Sequence, residues 1–330
     1  MMSRRWDPAG RSREAPWGMS VSEVLAGRER AGSRLRHHGR MGPERARGRR
    51  IAYQGEPGAF SEEMILTIDP MACACPYPTF SLAVAALVAG EVVIAVLPVE
   101  NSLGGVVQEV SDQLTEHPVH IVAEHLLPVR HCLLVAADEA GPDPPAVTRV
   151  RSHPQALAQC RRYLERLGAV PVPADDTAGA ARALAAHPEP GLAVIASAAA
   201  ARRYRLRVAA SDIQDRADNT TRFVTVARGA SIWPTEGAPP IGKVSLTVET
   251  AHRPGSLHAA LGVFAARQLN LTRLDARPLP ERNFEYRYYL DFEYADVGPA
   301  QAALEELVGV AHAVRLLGVY PHARAAEPAH

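Results

Sequence analysis

The stretch VVIAVLPVENSLGG, Val92–Gly105, decides the reading of the fold. Its first eight residues, Val92–Val99, are apolar without alternation, and they have the length of one strand. A strand with one wet face alternates, whereas one apolar on both faces is buried on both, as in a parallel sheet covered by helices. The run then stops at Glu100-Asn101-Ser102, followed by Gly104-Gly105. An acceptor, an amide and a hydroxyl are thus delivered where open α/β sheets bind ligands, at the carboxyl end of a strand. The glycines let backbone amides approach a ligand closely. The same residues would also serve as an ordinary helix cap.

Outward from this strand the same rhythm repeats. A short strand around Ile51–Tyr53 runs into the turn Gln54-Gly55-Glu56-Pro57-Gly58 and a helix from about Ala59. Ser81 predicts a helix cap, with closure near Gly90. An amphipathic helix of about ten residues follows Gly105. A strand over Val147–Arg151 enters Ser152-His153-Pro154, where proline suits the first helical turn, and Gly168 closes the helix. Leu192–Ile195 is a further buried strand leading to a small-residue helix near Ser197, and Val224–Ala227 continues a strand from Asp218–Phe223. Alternating strands and helices predict a two-lobed α/β unit.

Gly229, Pro234, Gly237, Pro239 and Pro240 interrupt that rhythm and read as a linker. Beyond it come a strand at Lys243–Glu249, a helix after Pro254-Gly255, and strands at Leu271–Arg277 and Tyr286–Glu293. A helix at about Pro299–Val308 and a strand at Ala313–Tyr320 complete the series. This βαββαβ order is the ferredoxin-like arrangement. The expected organisation is a disordered Arg-rich extension over 1–49, a two-lobed α/β domain over 50–228, a linker over 229–241, a βαββαβ domain over 242–321 and a tail over 322–330.

Composition excludes several classes. The 330 residues carry 36 basic and 36 acidic side chains, so the chain offers nucleic acid no steering field. No apolar run approaches the length of a membrane span, about 20 residues. Four cysteines are too few for a disulfide scaffold, and the Cys73-x-Cys75 pair has no second cluster at zinc spacing, so no metal is expected. A cytoplasmic location follows as an expectation. Residues 1–50 hold 13 Arg against 5 acids and no sustained apolar period, so they cannot offset the entropy of ordering. The acids argue against a transit peptide, and Met41 is an alternative start. The chain has one lysine, Lys243, so arginine richness is a habit of the whole sequence.

Two further constellations stand at strand ends. Ser152-His153-Pro154-Gln155 with Gln159 opens a helix whose free amides favour an anion, and Gln155 and Gln159 share one face. A capped surface helix would look the same. Asp218-Asn219-Thr220-Thr221-Arg222-Phe223 leads into a strand with Thr221 and Phe223 on one face and Arg222 on the other. Arg222 could hold a carboxylate or pair with a nearby Asp on the surface. At this level a small-molecule enzyme and a solute-binding sensor fit equally.

At these residues the chain resembles prephenate dehydratase over about residues 50–321. The resemblance runs through AYQGEPGAFSE (Ala52–Glu62), LPVENSLGG (Leu97–Gly105), SHPQALAQC (Ser152–Cys160), DTAGAA (Asp176–Ala181) and IQDRADNTTRF (Ile213–Phe223). It implies a two-lobed catalytic domain similar to type 2 periplasmic-binding proteins, with the active site between the lobes, and a C-terminal ACT domain. It implies conversion of prephenate to phenylpyruvate with loss of CO2 and water, no cofactor, and Thr221 as the catalytic residue at the departing hydroxyl. An uncharged hydroxyl there avoids stabilising the ring carboxylate in the ground state. Glu100, Asn101, Ser102, Ser152, Gln159, Arg222 and Phe223 are implied to bind substrate. His153 is expected to cap or pack.

The resemblance also implies L-phenylalanine as effector, bound by Pro254, Gly255, Ser256, Leu257, Asn270, Leu271 and Arg277. Two family motifs are altered, with Ser256 where an alanine is usual and Asp275-Ala276 before Arg277-Pro278. A homodimer or homotetramer is implied. With no helical domain expected in the first 50 residues, the protein reads as monofunctional. Two alternatives remain open. One is arogenate dehydratase, with DTAGAA a candidate for substrate choice, and the other is a catalytically silent amino-acid sensor.

Overall fold

The computed structural model describes residues 48–137, 146–231, 233, 239, 241–279 and 282–323. Most of the expected extension and tail, and part of the expected linker, lie outside the described residues.

The first lobe is built from β1 (Arg50–Gln54), α1 (Phe60–Ile68), β2 (Cys73–Tyr77), α2 (Phe80–Ala89), β3 (Ile94–Asn101), β4 (Gly105–Val106), α3 (Gln108–Glu116) and β5 (Val119–Pro128). The chain then forms a second lobe from β6 (Cys132–Val135), β7 (Arg149–Ser152), α4 (Pro154–Gln159), α5 (Arg161–Leu167), β8 (Val170–Pro173), α6 (Thr177–Ala186), β9 (Leu192–Ala196), α7 (Ala198–Tyr204) and β10 (Arg207–Ala210). It returns to the first lobe as β11 (Thr220–Arg228). The remainder is β12 (Gly242–Glu249), α8 (Ser256–Ala266), β13 (Asn270–Leu279), β14 (Arg282–Tyr294), α9 (Val297–Val310) and β15 (Ala313–Pro321), in the expected βαββαβ order.

The apolar character of β3 has a direct cause. Leu97 and Val99 pack with Ala83, Val84 and Leu87 of α2 and Val110 and Leu114 of α3. On the other face Val96 packs with Ile51, Tyr53, Met64, Ile65 and Phe223. The strand therefore separates two cores. The smaller sheet, ordered β10-β6-β9-β7-β8, likewise has a core on each face. Two local expectations are corrected. Helix α2 is capped by Thr79, whose hydroxyl accepts from the Leu82 amide at 3.2 Å, and not by Ser81, which lies inside the first turn. The helix expected to run from Pro154 to Gly168 breaks at Cys160 into α4 and α5.

The C-terminal unit is not hung on the first lobe by a linker alone. One sheet, ordered β13-β14-β12-β15-β5-β11-β3-β1-β2, runs through both, with β15 parallel to β5 where Gly318 faces Ile121. A Cβ on Gly318 would come within 2.5 Å of the Ile121 carbonyl oxygen, so the junction requires glycine. Tyr289, Leu317 and Tyr320 complete the first lobe's core. The C-terminal unit also grips α3. Arg273 donates to Ser111 Oγ at 2.8 Å, Arg277 pairs with Asp112 and donates to Gln108, and Arg315 donates to the last carbonyls of the helix, including His117 O at 2.7 Å. A cation at that end also complements the helix dipole.

Candidate active site

The chain crosses between lobes twice, at Val129–His131 and Ser211–Asn219, and these crossings lie side by side. Val129 N donates to Asn219 O at 2.8 Å, and Ile213 N to His131 O at 3.1 Å. Away from this hinge, loops of the first lobe meet helices of the second. Ser197 Oγ donates to Gly58 O at 2.9 Å and Tyr204 Oη to Pro57 O at 2.6 Å. Gly104 lies so close to the Gln155 amide that a Cβ there would collide with Nε2. Between the lobes is a cavity of about 510 Å³, whose lining includes Leu103, Gln155, Gln159, Asn219, the cationic Arg161, Arg162 and Arg216 and the acidic Asp215.

A chain of neutral groups runs along the hinge to Thr221. Asn101 Nδ2 donates to Thr221 Oγ1 at 2.9 Å and to Asn219 Oδ1 at 2.8 Å. Asn219 Nδ2 donates to Gln159 Oε1 at 3.0 Å, and His131 Nε2 lies 2.8 Å from the same oxygen. Asn101 Oδ1 accepts from the Leu103 and Gly104 amides at 3.1 and 2.7 Å, which fixes that amide's orientation. Oγ1 of Thr221 is therefore an acceptor toward Asn101, and its own proton is left to donate elsewhere. Donation into Oγ1 also strengthens Thr221 as a donor, because linked hydrogen bonds polarise one another.

Burial lowers the pKa of His131, against the opposing hydrogen bond from Gln159, so the ring stays neutral. With Gln159 Oε1 an acceptor, the protonated nitrogen is Nε2. Its Nδ1 is buried without a partner, and Phe60 packs edge-on against the ring.

A one-residue slip aims Asn101. Against β11, β3 pairs Asn101 with Thr221 and Glu100 with Arg222, but Pro98 with Phe223, so Val99 is the extra residue of a bulge. Val99 stays in the core with Leu97, while Asn101, two residues on, turns to the Thr221 face. Re-aiming a side chain beside a site is a recurrent use of bulges.

The expected residues are not all gathered here. Asn101, Gln159 and Thr221 meet in the chain just described. Ser102 clips its loop to β11, its hydroxyl accepting from Thr220 N at 3.0 Å and donating to Asp218 O at 3.1 Å. Ser152 is fully buried and donates to Ile195 O at 2.6 Å, tying β7 to β9. Phe223 is buried in the core behind β11.

Glu100 and Arg222 lie on the face away from Thr221, 4.0 Å apart. Alternation along β11 turns Arg222 to the side opposite Thr221. Its guanidinium donates to Glu124 at 2.7 Å, Asp291 at 2.5 Å and Tyr320 Oη at 2.9 Å. His153 caps α4, Nδ1 accepting from Gln155 N. Asp176 of the DTAGAA segment caps α6, accepting from Gly179 N at 2.6 Å. Sequence reasoning missed Asn219 and His131. Asn219 stands two residues before Thr221 in the IQDRADNTTRF motif, which could have drawn attention to it; His131 carries no local signal.

A second cavity, of about 470 Å³, opens at the β12–α8 turn. Pro254, Gly255, Ser256 and Leu257 line it with Phe284 and Tyr286, and Ser256 Oγ is buried there without a partner. Asn270, Leu271 and Arg277 do not line it. The Arg277 guanidinium is held instead by Asp112 and Gln108, because β13 crosses α3 at that point. Among the described residues, no group of three or more His, Cys, Asp or Glu is placed to hold a metal ion. No described helix is long and apolar enough to cross a membrane, and all four cysteines are unpaired.

The chain matches the prephenate dehydratase family model over residues 51–231. It is 43% identical over 282 residues to arogenate dehydratase/prephenate dehydratase 2, chloroplastic, of Arabidopsis thaliana, spanning 82% of this chain and 72% of that one. To arogenate dehydratase 2 of Petunia hybrida it is 42% identical, over 82% of this chain and 71% of the relative. Among solved structures it is similar to GqqA, described as a novel type of quorum quenching acylases, with TM-score 0.75 and 34% identity over 83% of this chain and 98% of that one. It is also similar to prephenate dehydratase from Arthrobacter aurescens in complex with L-Phe, with TM-score 0.73 and 29% identity, covering 83% and 90% of the two chains.

Proposed function

Because this chain belongs to the prephenate dehydratase family and has the dehydratase activity of its prephenate- and arogenate-converting relatives, we propose that its substrate is prephenate and its product phenylpyruvate. The observation that carries the mechanism is the 2.9 Å bond from Asn101 to Thr221 Oγ1, which leaves the threonine proton to be donated. As the ring carboxylate departs as CO2, its bonding electron pair enters the ring and expels the ring hydroxyl. Thr221 donates a hydrogen bond to that oxygen, which takes a proton from solvent and leaves as water. Gln159 and Asn219 orient the substrate from the hinge. Arg162, on the cavity wall, supplies a cation for the side-chain carboxylate. Around Thr221 itself the partners are neutral, so the carboxylate that must leave is not held in place.

Acyl transfer, suggested by the likeness to GqqA, would need a base to take the threonine proton. The partner of Thr221 is instead an amide that donates to it. Arogenate is the nearer rival substrate, given the names of the plant relatives.

The C-terminal βαββαβ unit acts as an ACT domain, and L-phenylalanine binds in its cavity at Pro254–Leu257. Phe284 and Tyr286 provide an aromatic wall and Ser256 an unspent hydroxyl, and a related prephenate dehydratase was solved with L-Phe. Asn270 and Leu271 stand on the edge strand β13, where Leu274 is exposed; such an edge suits pairing in a homodimer or homotetramer. Four unpaired cysteines suit the cytoplasm, although relatives are named chloroplastic.

Turnover of the full chain on prephenate and arogenate, each with and without phenylalanine, tests all of this. Phenylpyruvate formation that falls as phenylalanine is added is the expected result. Product from arogenate alone would move the substrate and leave the chemistry standing. No product from either substrate would overturn the reading.

A further inference from the structure

The side of β11 away from the cleft holds a buried charge cluster that the reaction itself does not use. Arg222 is 11% exposed at its side chain, and Glu124 and Asp291 only 2% and 3%. Each nitrogen of the Arg222 fork has its own partner from a different strand: Nε to Glu124 on β5, Nη1 to Asp291 on β14 and Nη2 to Tyr320 on β15. Tyr320 Oη in turn lies 2.6 Å from Ser245 Oγ, and Lys243 Nζ lies 3.0 Å from Glu124. Lys243 is the sole lysine of the chain. A compact ammonium fits between Glu124 and Glu293 where the planar fork of an arginine would need more room.

Two buried cations face two buried anions, with Glu100 and Glu293 at the rim. The cluster's geometry is specified by the C-terminal unit. Burial works against charge on Glu124, but Arg222, the Ala323 amide and Lys243 outweigh it and hold its carboxyl below the ordinary range. Glu124 is thereby held between Arg222 and Lys243. The cluster is fastened one residue from Thr221 on the same strand, and the β3 bulge lies opposite that very residue. The ladder to β3 is irregular there, while that to β5 is regular from Thr220 to Thr225, so the grip on Arg222 adds a side-chain fixing to the edge on which Thr221 meets Asn101.

We infer that the C-terminal domain is a working part of the catalytic centre: Asp291 and Tyr320, together with Glu124, position Thr221 by clamping Arg222. These are positioning residues, and the role is present without any effector. The inference rests on the dehydratase reading of Thr221. Its rival is that Arg222 binds a substrate carboxylate, as its place in the Thr-Arg-Phe motif implies.

Three variants of the full chain separate the two, Tyr320→Phe, Asp291→Asn and Arg222→Lys. Clamping predicts that all three lower kcat with KM unchanged, by about 10-fold for Y320F and up to about 100-fold for R222K, the loss that small misplacements of reacting groups bring. Direct contact with substrate predicts that R222K raises KM and that Y320F and D291N are silent; that pattern overturns the inference. Tyr320→Phe keeps the ring that fills the core, so it reports even if D291N fails to fold. Amide hydrogen exchange over Thr220–Phe223 supplies a readout independent of turnover. It should quicken in Y320F while β9 in the second lobe stays as protected as in the parent. Unchanged exchange over Thr220–Phe223 refutes the clamp whatever the substrate proves to be, whereas a wild-type chain inactive on both substrates refutes the dehydratase reading alone.

Discussion

Thr221 and Arg222 are neighbours on β11 and occupy opposite electrostatic worlds. On the Thr221 side every partner is neutral: Asn101, Asn219, Gln159 and a histidine that burial keeps uncharged. On the Arg222 side four ionised groups are packed out of water. A strand's two-residue period makes this possible, since consecutive side chains leave on opposite faces. The difference shows how a fold can use charge for rigidity without putting it beside the chemistry. Placed one residue along on the opposite face, the Arg222 guanidinium holds the strand and leaves the groups bonded to Thr221 neutral.

The largest effect should come from the neutral side. Thr221→Ala removes the hydroxyl proposed to assist the leaving group, and turnover should fall by about 10²- to 10⁴-fold. Thr221 packs no core, so the thermal midpoint and circular dichroism should match the parent. Turnover within a few-fold of wild type would end the case for this threonine. Asn101→Asp gives a sharper test. The Leu103 and Gly104 amides would still be accepted by a carboxylate oxygen, so the loop should keep its shape. The bond to Thr221 would reverse, however, with the threonine proton drawn to the aspartate and no longer available to substrate. Steady-state kinetics should show a loss approaching that of Thr221→Ala, with KM little changed. If N101D retains most activity, the direction assigned to that hydrogen bond is wrong.

Acid should separate the two sides again. His131 has a folded pKa below its unfolded value of about 6.5. Below that pH the unfolded chain takes up a proton that the folded one refuses, so stability is full above about 6.5 and falls as pH drops beneath it. Glu124, also depressed, adds its own loss only lower, as pH falls from the unfolded carboxylate value of about 4.3 toward its folded value. Denaturant melts at a series of pH values should therefore show two successive declines. The upper one should shrink in His131→Gln, which retains a donor for Gln159, and the remainder belongs to His125, whose pKa burial also lowers. A single decline confined to pH below 5 would mean that His131 titrates normally.

What can be read from the residues alone follows from how local each signal is. Val92–Val99 announces a doubly covered strand because burial on both faces is written into every residue of it. Pro154, Gly168 and Ser197 likewise mark helix ends through their own backbone and side-chain chemistry. The Val99 bulge has no such mark. It is a property of pairing between β3 and β11, and it decides which way Asn101 points. Arg222 is ambiguous in sequence for the same reason, since Glu124 and Asp291 lie 98 and 69 residues away in the chain. Nothing near Arg222 tells a clamp from a ligand.

Arg277 presents the comparison at its weakest. It is a cation of the C-terminal unit that reaches the first lobe from the surface, holding Asp112 and Gln108 at the start of α3. Both members of the pair are about one-third exposed, so Arg277→Ala should cost no more than about 1 kcal/mol of stability and become smaller still in high salt. Its effect on regulation need not be small. Helix α3 follows directly from the loop after Asn101, so on the proposed effector role a phenylalanine bound near Ser256 would have this contact as one route to that loop. R277A should therefore bind phenylalanine in calorimetry with near-parental affinity while needing more of it to inhibit turnover. If binding itself is lost, Arg277 belongs to the effector site as the motif implied. If inhibition is untouched, the grip on α3 is structural only, and coupling between the domains must run through the buried cluster around Arg222.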